Sequence, residues 1–171
     1  MNKGKSAAVY LIVALVVASV AYAQAVHRSL TLDVNAARNK VLSGDPILIK
    51  VELKNTSGHA IPSTEMPGGD VHGELIGFRA VVRDAQGKEP SLTKWGRLVY
   101  GRQTPEDAAS LQLDAVRKGR LDPGGVQKTE IHVSDIYDLT APGKYTIQVG
   151  HYDDDIKEEI LSTAITVAVT K

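Results

Sequence analysis

Residues 139–149, Leu-Thr-Ala-Pro-Gly-Lys-Tyr-Thr-Ile-Gln-Val, constrain the fold more than any other stretch of the chain. Pro142-Gly143 is a turn pair, since proline presets one backbone angle and glycine accepts the angles other residues avoid. Beyond it Tyr145, Ile147 and Val149 alternate with Lys144, Thr146 and Gln148, the two-residue period of a half-buried strand. Leu139 precedes the turn, Gly143 closes it and Tyr145 opens the strand. That arrangement predicts a tyrosine corner, in which the phenol ties the entering strand to nearby backbone.

The same alternation recurs on either side. Leu30, Leu32 and Val34 predict a first strand, and Val41-Leu42 rejoins the sheet before the Ser43-Gly44-Asp45-Pro46 turn. Ile47, Ile49, Val51 and Leu53 face one way and Lys50, Glu52 and Lys54 the other, ending at Asn55-Thr56-Ser57-Gly58. Phe78, Ala80 and Val82 predict a strand followed by a turn at Asp84–Gly87 and a short further strand stopping near Pro90. Residues 95–100 alternate as another strand. Thr129, Ile131 and Val133 predict a strand ending in a helical turn capped by Ser134, and Ile165, Val167 and Val169 the last strand. Residues 102–120 read in two ways: Thr104 as an N-cap, Pro105 after it and acids next start a short helix with Ala108, Leu111 and Ala115 on one face, while Leu111, Leu113 and Ala115 also alternate as a strand, and Gly119 terminates either. Seven to nine short strands separated by turns predict an all-β antiparallel sandwich.

Residues 1–23 stand apart. Lys3 and Lys5 form a positive start, Ala7–Val20 is apolar except for Tyr10 and Ser19, and Ala21-Tyr22-Ala23 has the small-x-small pattern. This is a secretory signal peptide, with cleavage expected between Ala23 and Gln24 and a second small-residue site at Ala25. The apolar run, about 14–17 residues, is shorter than the roughly 20 a spanning helix needs, so no stable membrane span is expected after cleavage. The remainder, 24–171, reads as one domain. The full chain balances 20 basic against 20 acidic side chains, and loss of the two lysines leaves 18 against 20, a formal charge of −2. No basic stripe suggests nucleic acid. With no cysteine, disulfides, thiol nucleophiles and zinc–thiolate sites are excluded, and packing alone must hold the domain.

Val51–Ser57, Val82–Lys88, Pro123–Gly125, Tyr137–Tyr145 and Ser162–Val169 together resemble bacterial exported immunoglobulin-like domains. The layout is similar to fibronectin type III and to the BsuPI-type proteinase-inhibitor domain. The resemblance spans 30–170, with 56–73 and 91–122 as insertions, and implies a sandwich more than an activity. The antibody subclass is not implied: there is no cysteine pair, and Trp95 falls after the Asp84–Gly87 turn rather than on the preceding strand.

In such a layout loops 56–73 and 152–159 share one end of the sandwich. His59, His72, His151 and Asp153 are therefore the candidates for a metal, with Glu65 and Met66 near them, although no pair has motif spacing. Asp153-Asp154-Asp155 lacks the alternation and glycine of a calcium loop and reads instead as a solvated hairpin tip. Trp95 and Tyr100 are of types enriched at binding hot spots, against the alternative that they cover the core. No catalytic constellation and no cofactor motif is present. The expectation is an exported non-catalytic module that binds a protein or cell-envelope partner through loops 56–73, 91–122 and 152–159. Proteinase inhibition, through 56–73 with Pro62 and Pro67, and metal binding in the periplasm are the alternatives.

Overall fold

The structure, a computed structural model of the chain, describes residues 28–65, 77–102 and 117–171. Residues 1–23, expected to be a signal peptide, Gln24, His72, Met66, Pro67 and the expected helix start at Thr104 lie outside the described residues.

Two sheets form the body. The first joins β1 (Leu30–Ala36), β3 (Leu48–Asn55) and β7 (Val126–His132) in the order β1-β3-β7, all antiparallel. The second joins β2 (Lys40–Leu42), β10 (Ile165–Thr170), β8 (Gly143–Asp153) and β5 (Phe78–Arg83) in that order. The chain leaves β1 in the first sheet and enters the second through β2, which pairs parallel to β10. That sheet switch and this strand order are those of an immunoglobulin-like sandwich.

The alternation is what packs the sheets. Leu30, Leu32 and Val34 from β1, Ile49, Val51 and Leu53 from β3, and Ile131 from β7 meet Phe78, Ala80, Val82, Tyr145, Ile147, Val149 and Val167 from the other sheet in one buried core. Outward positions of the first sheet are mostly polar or charged, as in the Lys128–Glu52 pair at 3.0 Å. Burying a large aliphatic side chain contributes about 1.5–3 kcal/mol, which is how a cysteine-free domain can stand.

β9 (Glu158–Leu161) folds back on the far half of β8, while β10 pairs with its near half. Between these ladders residues 162–164 oppose only 148 and 149, which is a β-bulge. Buried Ser162 stabilises it: its Oγ accepts the Val149 N–H at 3.0 Å.

Several sequence expectations change. The 95–100 strand is a helix, α1 (Lys94–Val99). Both insertions contribute a strand, β4 (Ile61–Glu65) and β6 (Arg117–Leu121), paired antiparallel as a separate ribbon rooted in the core by Ile61 and Leu121. Gly119 terminates nothing; it sits inside β6 opposite Ser63. No strand follows the Asp84–Gly87 turn directly among the described residues. Val133 is the first residue of α2 (Val133–Ile136), although its N–H still continues the β3 ladder by donating to Ile47 O at 2.9 Å. Ser134 is not the cap: His132 holds that position, and the Ser134 Oγ accepts the Ile47 N–H at 3.2 Å.

Candidate functional site

One end of the sandwich, called lower here, carries the 43–46 turn, α1, α2 and residues 137–142. Local chemistry explains why the chain folds as it does there. Thr93 is extended, and its Oγ1 accepts the Gly96 N–H at 3.0 Å, an N-cap that starts α1. The same hydroxyl donates to Asp135 O, and the Thr93 N–H donates to Ile136 O at 2.9 Å. α1 can lie this close to α2 only because residue 96 is glycine: a Cβ there would stand 2.0 Å from Ile136 O. The Asp138 N–H donates to Ser91 O at 2.8 Å, and Leu92 bridges to Tyr137.

Two tyrosines fasten this assembly to β5. The Tyr100 and Tyr137 hydroxyls both donate to Ala80 O, at 2.8 and 3.1 Å, with their rings 6.1 Å apart. Burial raises both phenol pKa values, that of Tyr137 well above the usual range, so both remain neutral donors. They also occupy a carbonyl on an edge strand, where an unpaired group invites another chain. The Tyr145 hydroxyl donates to Ala141 O at 2.7 Å across the Pro142-Gly143 turn, and Leu139 is buried beside it. Ser43 Oγ donates to Thr140 O at 2.6 Å.

These ties surround an open groove of about 460 Å³ between the 44–46 turn, residues 91–93 and residues 134–140. Leu92, Tyr137 and Leu139 supply its apolar side, and Asp45, Asp135 and Asp138 its charges. Among the described residues no lysine, arginine or histidine lines it. Hydrogen bonds from the Thr140 hydroxyl at 2.6 Å and N–H at 3.2 Å hold the Asp138 carboxyl below the usual carboxylate range. Asp45 lies 3.8 Å from exposed Arg38, and Asp135 3.9 Å from His132.

The opposite, upper end carries residues 56–60, 122–125 and 154–157. Asn55, fully buried, donates through Nδ2 to His59 O and Leu121 O, both at 2.8 Å, while its Oδ1 accepts from the Ser57 N–H and hydroxyl. One amide therefore pins the loop after β3 to the root of the ribbon. His59 does meet the 152–159 hairpin, with Nε2 2.8 Å from Asp155 Oδ2. His151 does not join them: its Nδ1 lies 2.6 Å from Gly77 O and its ring 5.0 Å from Phe78. Burial lowers its pKa, leaving the ring neutral. Asp153 is not part of a solvated tip. It is fully buried, with the Ser29 Oγ 2.7 and 2.8 Å from its two oxygens and the Asp155 N–H at 3.0 Å. Among the described residues no three histidine, cysteine or acidic side chains are gathered to hold a metal.

Trp95 lies half-buried on α1, and Tyr100, at the end of that helix, packs against the core. Sequence reasoning missed Ser91, Thr93, Asp135 and Asp138 as groove residues. The available signal was Thr93, a good N-cap three residues before the glycine it caps; reading 95–100 by its two-residue period concealed it.

No protein-family model matches the sequence, and no curated protein matches it. Solved structures similar to this chain include the CARDB domain of a Pyrococcus furiosus protein in complex with di-metal ions. It is 14% identical with a TM-score of 0.44, the match covering 82% of this chain and 87% of that one. A FixG-related protein from Vibrio parahaemolyticus is 11% identical with a TM-score of 0.41, over 84% of this chain and 99% of that one. A β-glucosidase from Erythrobacter marinus is 16% identical with a TM-score of 0.43, over 83% of this chain but 15% of the enzyme. The strand order and register, not these likenesses, carry the fold assignment.

Proposed function

We propose that the chain is an exported, non-catalytic immunoglobulin-like module that binds a protein or another cell-envelope component. The observation that carries this reading is the lower groove, a preformed concavity whose walls are cross-tied by hydrogen bonds that Ser43, Thr93 and Asp138 donate and one that Ser134 accepts. A rigid wall loses little freedom when a partner docks, which favours binding. The 91–122 segment contributes Ser91, Leu92 and Thr93 to it, while 56–60 and 154–157 meet at the other end through His59 and Asp155. The side chains that resemble catalytic groups are occupied structurally: Tyr145 ties a corner, His151 meets a backbone carbonyl, and Asp153 accepts from Ser29. Nucleic acid is a poor partner for a groove whose charged residues are all acidic. Export rests on residues 1–23; no described helix is long and apolar enough to cross a membrane.

Two measurements test this. Sequencing the N-terminus of protein recovered from the envelope fraction should find Gln24; a chain starting at Met1 in the cytoplasm overturns export. A photo-crosslinking residue at Ser91 or Thr140 should yield one defined adduct in intact cells, and the same residue at Lys128 on the outer face of the first sheet should yield none. Absence of adducts from the groove positions and from His59, in folded protein, overturns the binding reading.

A further inference from the structure

We propose that the lower groove receives a basic, partly apolar peptide segment of a partner protein, seating lysine or arginine side chains against Asp45, Asp135 and Asp138. This rests on the binding reading above and names the chemistry of the partner. The protein as a whole is charge-balanced, with 20 basic and 20 acidic side chains, so a concave wall carrying three aspartates and, among the described residues, no cationic one is a local asymmetry. A cleft lined by one sign of charge, with low-dielectric walls, focuses its field and concentrates the opposite charge.

Among the described residues the three carboxylates have no cationic partner that lines the groove. Asp138 is hydrogen-bonded to a neutral threonine, and the Asp45–Arg38 and Asp135–His132 approaches are long. An inorganic divalent cation does not suit them, because no three such groups gather closely enough to hold one. An organic cation does. A guanidinium or ammonium group hydrogen-bonds across a wider span, and its aliphatic stem packs on apolar surface such as Leu92 and Leu139 while the head reaches the acids. The volume of about 460 Å³ lies within the roughly 300–1,000 Å³ of ligand clefts, and the groove is open, as a polypeptide requires.

Fluorescence anisotropy tests this with a labelled octapeptide alternating leucine and arginine, and a twin carrying glutamate for arginine. The arginine peptide should bind the intact protein and the glutamate peptide should not. The triple variant Asp45→Asn/Asp135→Asn/Asp138→Asn should weaken binding at least tenfold. A charge-matched control, Asp33→Asn/Glu130→Gln/Glu158→Gln, should change it less than twofold. Ser91→Arg, an exposed substitution that places a fixed cation at the rim, should also abolish binding and serves if the triple variant melts early. Equal affinity for the two peptides, no binding of the arginine peptide, or equal losses in the two triple variants overturns the proposal. If the arginine peptide fails while groove positions still crosslink a partner, the binding reading survives and the basic-peptide assignment falls; if both fail, both fall.

Discussion

The two ends of the sandwich are closed by different means. At the upper end the ties run through buried polar side chains: Asn55 serves four hydrogen bonds, and Asp153 joins the start of β1 to a hairpin 124 residues away. At the lower end they run chiefly to backbone carbonyls, and the two helical turns approach through the missing side chain of Gly96. A buried amide or carboxylate is costly if one partner is lost, so the upper end is stiff through mutual satisfaction. The lower end leaves its charged side chains facing outward, which is what a binding surface requires. Stability should thus be most sensitive to polar substitutions above, and recognition to changes below.

The largest expected effect comes from Gly96→Val. Its side chain must push α1 away from Ile136 O, destabilising the protein by about 3 kcal/mol and opening the groove. Chemical denaturation should report the first and loss of groove crosslinking the second. A variant that melts normally and still crosslinks would erase the contrast between the ends.

Asn55→Ala should cost about 2–3 kcal/mol, since His59 O and Leu121 O each lose a donor. Crosslinking from Ser91 should be unchanged in the folded fraction. Ser29→Ala should cost about 1–2 kcal/mol by removing the hydroxyl donor from buried Asp153.

His151 gives a pH test of the upper end. Its pKa is lowered in the fold, so the unfolded chain takes up the proton first. The stabilisation is complete above the free value of 6.5 and is lost as pH falls below it. Melting temperature should decline between pH 7 and 5, and His151→Gln should flatten that decline. An unchanged slope would detach the ring from Gly77 and Phe78.

The smallest effect sharpens the picture of the second sheet. Arg79 on β5 and Glu159 on β9 meet at 2.7 and 2.8 Å across β8, over Gly150, where a Cβ would lie 2.5 Å from Glu159 Oε1. The hydrogen bond to Arg79 lowers the Glu159 pKa, so this pair stabilises above the free glutamate value and fades as pH falls through about 4. Both groups are well exposed, and Glu159→Gln should cost only about 0.5 kcal/mol at neutral pH and nothing in acid.

What could be read in advance was local. The alternation of Ile49, Val51 and Leu53, or of Tyr145, Ile147 and Val149, reports a face turned toward apolar surroundings whatever the partner strand is. Tyr145 reaches a carbonyl only four residues back, so Leu139, the turn and the tyrosine suffice to place it. The candidate site was scarcely legible: Ser91–Thr93 lay in a segment read as an insertion, Asp45 was read as a turn residue, and Asp138 fell within the Tyr137–Tyr145 framework segment.

Contacts distant in sequence settled the remainder. Residues 94–99 are helical because Thr93 caps them and Gly96 rests on a carbonyl of α2, neither of which shows in their own two-residue period. β4 and β6 are strands because each supplies the other's partner, and Asp153 leaves solvent because Ser29 returns to meet it. Side-chain periodicity encodes which face is buried. Which segment lies against that face, and where concavity and charge coincide, emerges only when residues far apart in the chain share the same space.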